Sequence, residues 1–383
     1  MNILDKKIGI LGGGQLGKMM ILEAKRLGFY VVTLDPTADC PAHSISDEHI
    51  VKPFTDEEAI FELAEKVDII TYEIEHINVN ALQKLEDAGH VIYPSVKSLR
   101  VIQDKFLQKK SLQENGVMVP GFVKVESIED IKSAAESFGY PMMLKARTGG
   151  YDGKGNALIN SEEDISKAYE SLGSGQVKLM AEEFIPFVKE VSVIACRGID
   201  DKKVIYPVGE NIHKNSILDV TIVPARVPDE AIQNAREAAD RVMSVFEGVG
   251  TFCTEMFVTK DNQIYVNEVA PRPHNSGHYT IEGCFANQFE NHIRAICGLP
   301  LGNTDLIKPT VMKNILGTEN GVANPVGIEE AYAKFDTLKV HLYGKKEVRK
   351  GRKMGHITAC ADTIDEAIDI INETAKIIKI ERK

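Results

Sequence analysis

The chain has 383 residues, of which 43% are apolar and 26% are charged, and its formal net charge is −11. This length accommodates two or three domains, and no apolar run approaches the ~18 residues that a membrane-spanning helix needs. The acidic balance argues against nucleic acid as the main partner. The N-terminus lacks a secretory apolar segment and the six cysteines form no paired framework. We therefore expect a cytoplasmic protein with mostly buried thiols and no membrane association.

The first hundred residues alternate between strand and helix patterns, which predicts a small parallel-sheet, Rossmann-like domain. Gly12-Gly-Gly-Gln-Leu-Gly17 fits Gly-x-Gly-x-x-Gly, and Asp35 stands near the ~20-residue offset of a ribose-binding acid. Alone, this loop indicates a dinucleotide-binding dehydrogenase, a helix N-terminus for another phosphate, or a structural turn. Glu73 follows the third strand, where ligands of open α/β sheets bind. The expected strands are residues 7–11, 29–34, 68–72 and 91–93.

A helix expected over residues 98–115 leads into a longer α+β region with a second Gly-rich segment, Arg147-Thr-Gly-Gly-Tyr-Asp-Gly-Lys-Gly155. Glycine lets the backbone offer N–H groups close to a ligand, while Lys145, Arg147 and Lys154 supply positive charge. We predict a loop that closes over phosphate. It is not a Walker A loop, because Gly155 follows Lys154 and no hydroxyl is placed to hold Mg²⁺. Metal ligands must lie elsewhere.

Two strand-like runs, residues 251–258 and 264–269, flank a turn-forming cluster. If they pair as a hairpin centred on Asp261-Asn262, Glu255 lies opposite Glu268. Like charges facing each other destabilise an antiparallel pair, and a shared Mg²⁺ removes the conflict. The alternative is a solvent-facing pair with a shifted register. Asn267 is adjacent to Glu268, and adjacent side chains of a regular strand point to opposite faces, so simple strand geometry does not place Asn267 at the same metal.

The loop Ala270-Pro-Arg-Pro-His-Asn-Ser-Gly-His278 crowds polar side chains between and after two prolines, which is typical of a functional loop. His274 and His278 have the spacing of a helical metal pair, but Pro273 and Gly277 disfavour a helix. Beyond residue 302 the pattern predicts a third module of strands and one helix, Ile364–Ile378. Its residues 345–353 include six basic side chains, which form either a solvated turn or a site for a phosphate ester.

Together these motifs resemble the ATP-grasp superfamily and, within it, the 5-(carboxyamino)imidazole ribonucleotide synthetases (ATP-dependent aminoimidazole ribonucleotide carboxylases) of purine biosynthesis. The resemblance covers essentially the whole chain and rests on residues 12–17, 149–155, 267–278 and 352–356 in this order. It implies an α/β and α+β architecture with the ATP-grasp fold. The implied domains are an N-terminal α/β domain (residues 1–100), an ATP-grasp domain with a Gly-rich lid loop (101–300) and a small C-terminal β-rich domain (301–383).

The resemblance implies a carbon–nitrogen ligase that carboxylates 5-aminoimidazole ribonucleotide with bicarbonate through carboxyphosphate, and that uses ATP with Mg²⁺ or Mn²⁺. It implies that the first Gly-rich loop faces the ribonucleotide and binds no NAD, that Glu255 and Glu268 hold the metal, that the chain is a homodimer, and that a mutase receives the product. The implied ATP-binding residues are Lys105, Lys145, Gly150, Tyr151, Asp152, Gly153, Lys154, Gly155, Asn156, Glu182, Glu183, Phe184, Ile185, Glu190, His213, Asn267 and Glu268. The implied substrate-binding residues are Gly14, Gln15, Leu16, Glu73, Tyr151, Asp152, Arg272, His274, Asn275, Ser276, Lys345 and Arg352, and the implied catalytic residues are Lys154, Arg272, His274 and Asn275.

Three alternative functions remain open from the sequence. The nearest is a formate-dependent ATP-grasp ligase similar to glycinamide ribonucleotide transformylase. The others are an NAD-dependent oxidoreductase and a nucleotide sensor without turnover. One position departs from the family pattern, since His76 stands where the resemblance leads us to expect Asn.

Overall fold

The computed structural model describes residues 5–150 and 155–383. No helix in these ranges is long and apolar enough to cross a membrane. The strands are β1 (Lys7–Leu11), β2 (Tyr30–Leu34), β3 (Glu48–Ile50), β4 (Ile69–Tyr72), β5 (Val91–Ile92), β6 (Phe122–Val125), β7 (Met142–Ala146), β8 (Asn156–Ile159), β9 (Leu179–Glu183), β10 (Phe187–Arg197), β11 (Lys203–Ile205), β12 (Gly209–Lys214), β13 (Ile217–Val223), β14 (Gly250–Thr259), β15 (Ile264–Ala270), β16 (Thr310–Leu316), β17 (Gly321–Val326), β18 (Lys339–Leu342), β19 (Glu347–Val348), β20 (Lys353–Cys360) and β21 (Lys379–Arg382). The helices are α1 (Gln15–Arg26), α2 (Glu57–Lys66), α3 (Val79–Asp87), α4 (Val96–Ile102), α5 (Lys105–Glu114), α6 (Ile128–Phe138), α7 (Asp164–Ser171), α8 (Asp229–Val245), α9 (Thr280–Gly283), α10 (Gln288–Cys297), α11 (Ile328–Lys334) and α12 (Ile364–Ile377).

The N-terminal sheet is parallel and has five strands in the order β3-β2-β1-β4-β5. The four strands expected from the sequence are confirmed within one residue at each end, and the short β3 is additional. From β1 the chain adds β2 and β3 on one side and then β4 and β5 on the other, so the strand order reverses between β1 and β4, which is where ligands of open α/β sheets bind. The first Gly-rich loop follows β1 and Glu73 follows β4, so both lie at this edge.

The helix expected over residues 98–115 is wrong as one element, because it is divided into α4 and α5. Asp104 caps α5, and its Oδ1 accepts from the N–H groups of Phe106 at 3.0 Å and Leu107 at 3.3 Å. An N-cap residue adopts extended backbone, which Asp104 does with φ −110° and ψ 108°, and this interrupts the helix. Aspartate is a preferred N-cap, so the sequence contained the signal.

The remaining strands form a four-stranded sheet, β6-β9-β7-β8, a nine-stranded sheet and a small sheet of β17, β19 and β21. The large sheet has the order β15-β14-β10-β12-β13-β16-β20-β18, with β11 beside β10. It therefore continues across residue 300, and the domain limits stay predictions. The C-terminal module contains α11 as well as α12, so the expectation of a single helix there is wrong for the described residues. The seven-residue α11 is too short to show a clear period.

A buried histidine joins the N-terminal sheet to the large sheet. His292 on α10 is fully buried, its Nδ1 accepts from the Thr251 N–H at 3.1 Å, and its Nε2 lies 2.8 Å from Thr71 Oγ1. Because Nδ1 accepts a backbone N–H, Nε2 carries the proton and the ring is neutral. Burial lowers the pKa of His292 to about 3.

We predict that His292 makes stability fall in acid. Its folded-state pKa lies below the unfolded value of roughly 6.5, so its contribution is complete above that pH and is lost as the pH falls towards about 3. Between about pH 7.5 and about pH 5, urea unfolding should show the native chain losing about 2 kcal/mol more than His292→Gln. His43→Gln, at an exposed position, is the control. Parallel pH profiles for the native chain and His292→Gln would contradict this role.

Candidate active site

A cavity of about 910 Å³ lies between the N-terminal sheet, the four-stranded sheet and the large sheet. Its size is within the range of cofactor and substrate pockets. The expected site residues that line it are Gln15, Leu16, Glu73, Lys105, Lys145, Gly150, Asn156, Glu182, Glu183, Phe184, Ile185, Glu190, His213, Glu255, Asn267, Glu268, Arg272, His274 and Asn275.

Some of the expected site residues do not line this cavity or are not described by the structure. Gly14, Gly155, Ser276, Lys345 and Arg352 are not among the lining residues of this cavity. Tyr151, Asp152, Gly153 and Lys154 lie outside the described residues. Conversely, Glu75 and Asn211 line the cavity and were not expected there. Arg147 and Lys353, which the sequence marked only as basic residues of the phosphate loop and of the C-terminal run, line it too.

The two metal-binding candidates face each other on β14 and β15. Glu255 pairs with Glu268 as expected, but the register shifts between Glu255 and Met256. On the turn side Val258 pairs with Ile264, so the uninterrupted hairpin centred on Asp261-Asn262 is wrong. A β-bulge at Asn267 supplies the extra residue that brings the two glutamates together.

The bulge also corrects the expectation for Asn267. Because two residues of β15 there oppose one of β14, strict alternation fails and Asn267 lines the same cavity as Glu268. Asn267 Oδ1 lies 3.3 Å from Lys145 Nζ and accepts its hydrogen bond. The expectation that strict alternation along the strand keeps Asn267 away from Glu268 is therefore wrong.

The facing glutamates differ in their charge environment. Burial would raise the pKa of Glu268, but Lys105, whose Nζ lies 2.5 Å from Glu268 Oε1, outweighs it and the pKa is lowered. Burial raises the pKa of Glu255, His213 opposes this, and the charge of Glu268 adds to it. Although it lies deep in the protein, Glu268 exposes 43% of its side chain, because it lines the cavity.

These residues fit a divalent cation. In the described ranges, no group of three or more His, Cys, Asp or Glu residues gathers as a metal site. Two facing carboxylates beside the Asn267 amide would thus need oxygen ligands from a substrate. This is the usual arrangement for Mg²⁺, which takes one or two carboxylates plus phosphates. His274 and His278 are not on one α-helix, since a short 3₁₀ helix, Asn275–Gly277, lies between them.

A second carboxylate stands between two lysines. Glu182 Oε1 accepts from Lys145 Nζ at 2.6 Å, and Oε2 lies 3.0 Å from Lys109 Nζ. Burial would raise the pKa of Glu182, but Lys109 and Lys145 outweigh it and the pKa is lowered. Burial also lowers the pKa of Lys109, to about 8, against the opposing effect of Glu182.

The first Gly-rich loop is tied to carboxylates of the chain itself. Glu73 Oε1 accepts from the Gly14 N–H at 2.5 Å and Oε2 from the Gly17 N–H at 2.6 Å. Asp35 Oδ2 accepts from the Gly13 N–H at 2.8 Å. A Cβ on Gly14 would lie 2.5 Å from Glu73 Oε1, so glycine is required for this approach. Three amides that a dinucleotide pyrophosphate would need are therefore engaged.

The loop after β15 is held by partners from both ends of the chain. Arg272 forms an ion pair with Glu75 at 2.8 Å. The Asn275 and Asn314 amides bond reciprocally, at 2.9 and 2.7 Å. The Arg272 guanidinium and the Asn275 amide are therefore held in fixed directions, which favours binding of a small anionic substrate.

His274 is held as a neutral hydrogen-bond donor. Its Nδ1 accepts from the Ser276 N–H at 3.3 Å, so Nε2 carries the proton, 3.8 Å from Glu255 Oε1. Burial, and then the charges of Arg272 and Lys353, lower the pKa of His274 well below its usual value. As arranged, the ring can donate a hydrogen bond into the cavity.

The basic C-terminal segment reaches the cavity through one described residue. Lys345 Nζ donates to the Lys353 carbonyl at 2.8 Å, and Arg352 Nη1 donates to the Glu347 carbonyl at 2.8 Å. Lys353 itself lines the cavity. The sequence included Lys353 in the basic run 345–353 but named only Lys345 and Arg352 as substrate contacts. Arg147 also lines the cavity, but its charge is balanced by Asp104, with Nη2 and Oδ2 separated by 2.5 Å.

Three stretches of the chain match known domain families. Residues 5–103 match the ribonucleotide synthetase preATP-grasp domain, residues 110–289 the ATP-grasp domain, and residues 310–369 the phosphoribosylaminoimidazole carboxylase C-terminal domain. The N5-carboxyaminoimidazole ribonucleotide synthase of Bacillus subtilis (strain 168) is 44% identical over 365 residues, which is 95% of this chain and 94% of that protein. The chain belongs to the N5-carboxyaminoimidazole ribonucleotide synthase family.

Solved structures of this family have the same fold. The N5-carboxyaminoimidazole ribonucleotide synthetase of Thermotoga maritima matches with a TM-score of 0.90 at 45% identity, covering 99% of this chain and 100% of that chain. The Aspergillus clavatus synthase, in complex with ADP and 5-aminoimidazole ribonucleotide, matches with a TM-score of 0.89 at 36% identity, covering 98% and 99%. The expected ATP-grasp fold and the class of ATP-dependent carbon–nitrogen ligase are confirmed.

We predict that Glu73 contributes to stability as well as lining the site. In Glu73→Gln an amide N–H₂ replaces one acceptor of a buried pair, so a backbone N–H of the Gly-rich loop loses its partner. The free energy of unfolding in urea should fall by about 1–3 kcal/mol. Glu329→Gln, at an exposed position, should change it by less than about 0.5 kcal/mol. Unaltered stability of Glu73→Gln would show that these hydrogen bonds contribute little.

Proposed function

We propose that this chain carboxylates 5-aminoimidazole ribonucleotide in purine biosynthesis, with ATP and bicarbonate as co-substrates and with ADP and phosphate released. The observation that carries the proposal is the convergence in one cavity of the phosphate-binding lysines, the facing glutamates and the loop after β15. Lysines and paired carboxylates suit phosphoryl transfer, while the loop adds donors for a second, anionic substrate. The N-terminal Gly-rich loop forms one wall of the same cavity.

ATP would bind between the four-stranded sheet and the large sheet. Lys105 and Lys145 would contact its phosphates, and the strand end Glu182–Ile185 would lie beside adenine. Glu190 would accept from the ribose hydroxyls. His213 supports this role, since its Nδ1 lies 2.5 Å from Glu190 Oε2. Burial would lower the pKa of His213, but this hydrogen bond outweighs it and the pKa is raised.

Mg²⁺, or Mn²⁺ in its place, would be held by Glu255 and Glu268 beside Asn267 and would neutralise charge on the phosphates when bound. The chain supplies further positive charge of its own. Lys105 and Lys145 already contact carboxylates of the site, so both ammonium groups are held in place before ATP arrives. Such preorganised cations stabilise the charge that develops on a transferring phosphoryl group.

The properties of bicarbonate determine the order of the chemistry. Bicarbonate is a weak nucleophile and a poor electrophile, so its oxygen first attacks the γ-phosphorus of ATP, which releases ADP and forms carboxyphosphate. Carboxyphosphate then breaks down to CO₂ and phosphate, and the exocyclic amine of the ribonucleotide forms the new carbon–nitrogen bond and loses a proton. Arg272, His274 and Asn275 line the cavity and would bind the anionic carboxyl groups, with the His274 ring as a hydrogen-bond donor.

Carboxyphosphate is unstable in water, so the site must exclude solvent during the reaction. We assign that role to closure of the second Gly-rich loop, residues 149–155, and we place Tyr151, Asp152 and Lys154 among the residues that contact the substrates. Gly14, Ser276, Lys345 and Arg352 remain proposed ribonucleotide contacts. The homodimer, the cytoplasmic location and the mutase that takes up the product also remain proposals.

We predict that the purified chain releases ADP from MgATP in a manner that depends on both bicarbonate and 5-aminoimidazole ribonucleotide. The measurement is a coupled ADP assay with each component omitted in turn. Omission of bicarbonate or of the ribonucleotide should reduce ADP release to the ATPase background. Activity only with formate and glycinamide ribonucleotide would support the transformylase alternative and overturn the proposed substrate.

We predict that Glu268→Gln abolishes ADP formation and leaves ribonucleotide binding nearly unchanged. The substitution removes one of two facing carboxylates and the counter-charge of Lys105, both on the proposed metal and phosphate side. The rate of ADP release should fall about 100-fold or more, while calorimetric titration with the ribonucleotide should give a similar affinity. Glu329→Gln is the control. Full activity of Glu268→Gln would remove Glu268 from the metal assignment.

A further inference from the structure

The strand that carries Glu268 lies at the edge of the large sheet. β15 is the terminal strand of its order, so on one side of its backbone no strand of the described ranges is its neighbour. Buried backbone N–H and C=O groups need partners. The α5 side chain Gln108 supplies two of them, because its Nε2 donates to the Val269 carbonyl at 3.0 Å and its Oε1 accepts from the Val269 N–H at 2.9 Å. The buried amide of Gln108 thus replaces a neighbouring strand at this position.

The next residue of α5 bonds to the bulge itself. Lys109 is buried, and its Nζ donates to the carbonyl of Asn267, the bulged residue, at 3.0 Å. A bulge disrupts the ladder locally and leaves the extra residue unpaired, so its carbonyl needs a donor from outside the sheet. Gln108 and Lys109 therefore bind the β15 backbone on both sides of Glu268. We call these two residues the α5 clamp.

The pairs on the turn side of the bulge show which register β15 would have if the bulge were absent. Phe257 pairs with Tyr265, and Met256 pairs with Val266. If the ladder continued without the bulge, Glu255 would pair with Asn267, and Glu268 would move one position along the strand. A slip by one residue turns side chains to the other face of a sheet. Glu268 would then leave the cavity, and its ion pair with Lys105 would break.

We propose that Gln108 and Lys109 are positioning residues that hold the bulge in place, so that Glu268 faces Glu255 and Asn267 faces Lys145. Neither residue has to touch ATP or the ribonucleotide for this role. The inference rests on the proposed function only in that it takes the facing glutamates as a metal site. The register and the hydrogen bonds on which it depends belong to the protein alone.

The test uses Gln108→Leu and Lys109→Met in the full-length chain. Matched controls are Gln113→Leu and Lys110→Met, because both positions are exposed on the same helix. The probe is Mn²⁺ in the presence of a non-hydrolysable ATP analogue, with free Mn²⁺ measured by electron paramagnetic resonance. Gln108→Leu is the decisive variant because it changes no charge, so its effect on the metal can act only through position.

We expect the two clamp variants to weaken Mn²⁺ binding by about 10- to 100-fold, as loss of outer-shell support does at metal sites, and the controls to match the native chain. The concentration of Mg²⁺ that gives half-maximal activity should rise by a similar factor. A loss of stability alone would reduce the folded fraction and the maximal rate, but it would leave both of these constants unchanged.

Gln108→Met serves as the second variant, since it keeps the length of the side chain, adds no charge and loses both hydrogen bonds to Val269. It should show a similar loss of Mn²⁺ affinity, and it replaces Gln108→Leu in the test if that variant does not fold. Native Mn²⁺ affinity in the folded Gln108 variant would overturn the clamp. If the native chain binds Mn²⁺ with the analogue but releases no ADP with 5-aminoimidazole ribonucleotide, the proposed function fails while the clamp remains open to this test.

Discussion

The β-bulge at Asn267 is the constraint on which the rest of the site depends. It brings Glu268 opposite Glu255, and it turns Asn267 towards Lys145 in the same cavity. A regular hairpin would present one of these β15 side chains to the cavity and point the other away. The bulge leaves the Asn267 carbonyl without a partner in the sheet, and Lys109 from α5 supplies the missing hydrogen bond.

Cations and carboxylates alternate through the proposed phosphate-binding region. Lys105 contacts Glu268, and Glu182 lies between Lys145 and Lys109. A buried charge without a partner is costly, so this alternation keeps several charged groups buried together. It also fixes their directions before a substrate binds, and preorganised charge is what phosphoryl transfer requires. Glu255 is the exception, because the nearby Glu268 helps to raise its pKa, and a divalent cation would relieve this repulsion.

The cavity is assembled from distant parts of the chain. Glu75 from the N-terminal sheet pairs with Arg272, and Asn314 from the strand after residue 300 bonds to Asn275. The loop after β15 therefore depends on both neighbours for its shape. The first Gly-rich loop also depends on a distant part of the chain, because two of its amides donate to the Glu73 carboxylate. A glycine pattern shared with dehydrogenases thus has a different partner in this protein.

The sequence by itself determined the parallel N-terminal sheet and the family, because alternating hydrophobicity and closely spaced motifs are local properties. It also suggested that Glu255 faces Glu268, but from an uninterrupted hairpin that the structure does not have. The break at Asp104 carried a local N-cap signal that the prediction overlooked. The sequence did not determine the bulge at Asn267 or the partners of Glu73 and Asn275. Two of the site's lining residues, Glu75 and Asn211, likewise emerged only with the cavity. Only the tertiary structure decided these features, because a bulge and a reciprocal hydrogen bond depend on which distant groups are buried together, and hydrophobic periodicity carries no information about that pairing.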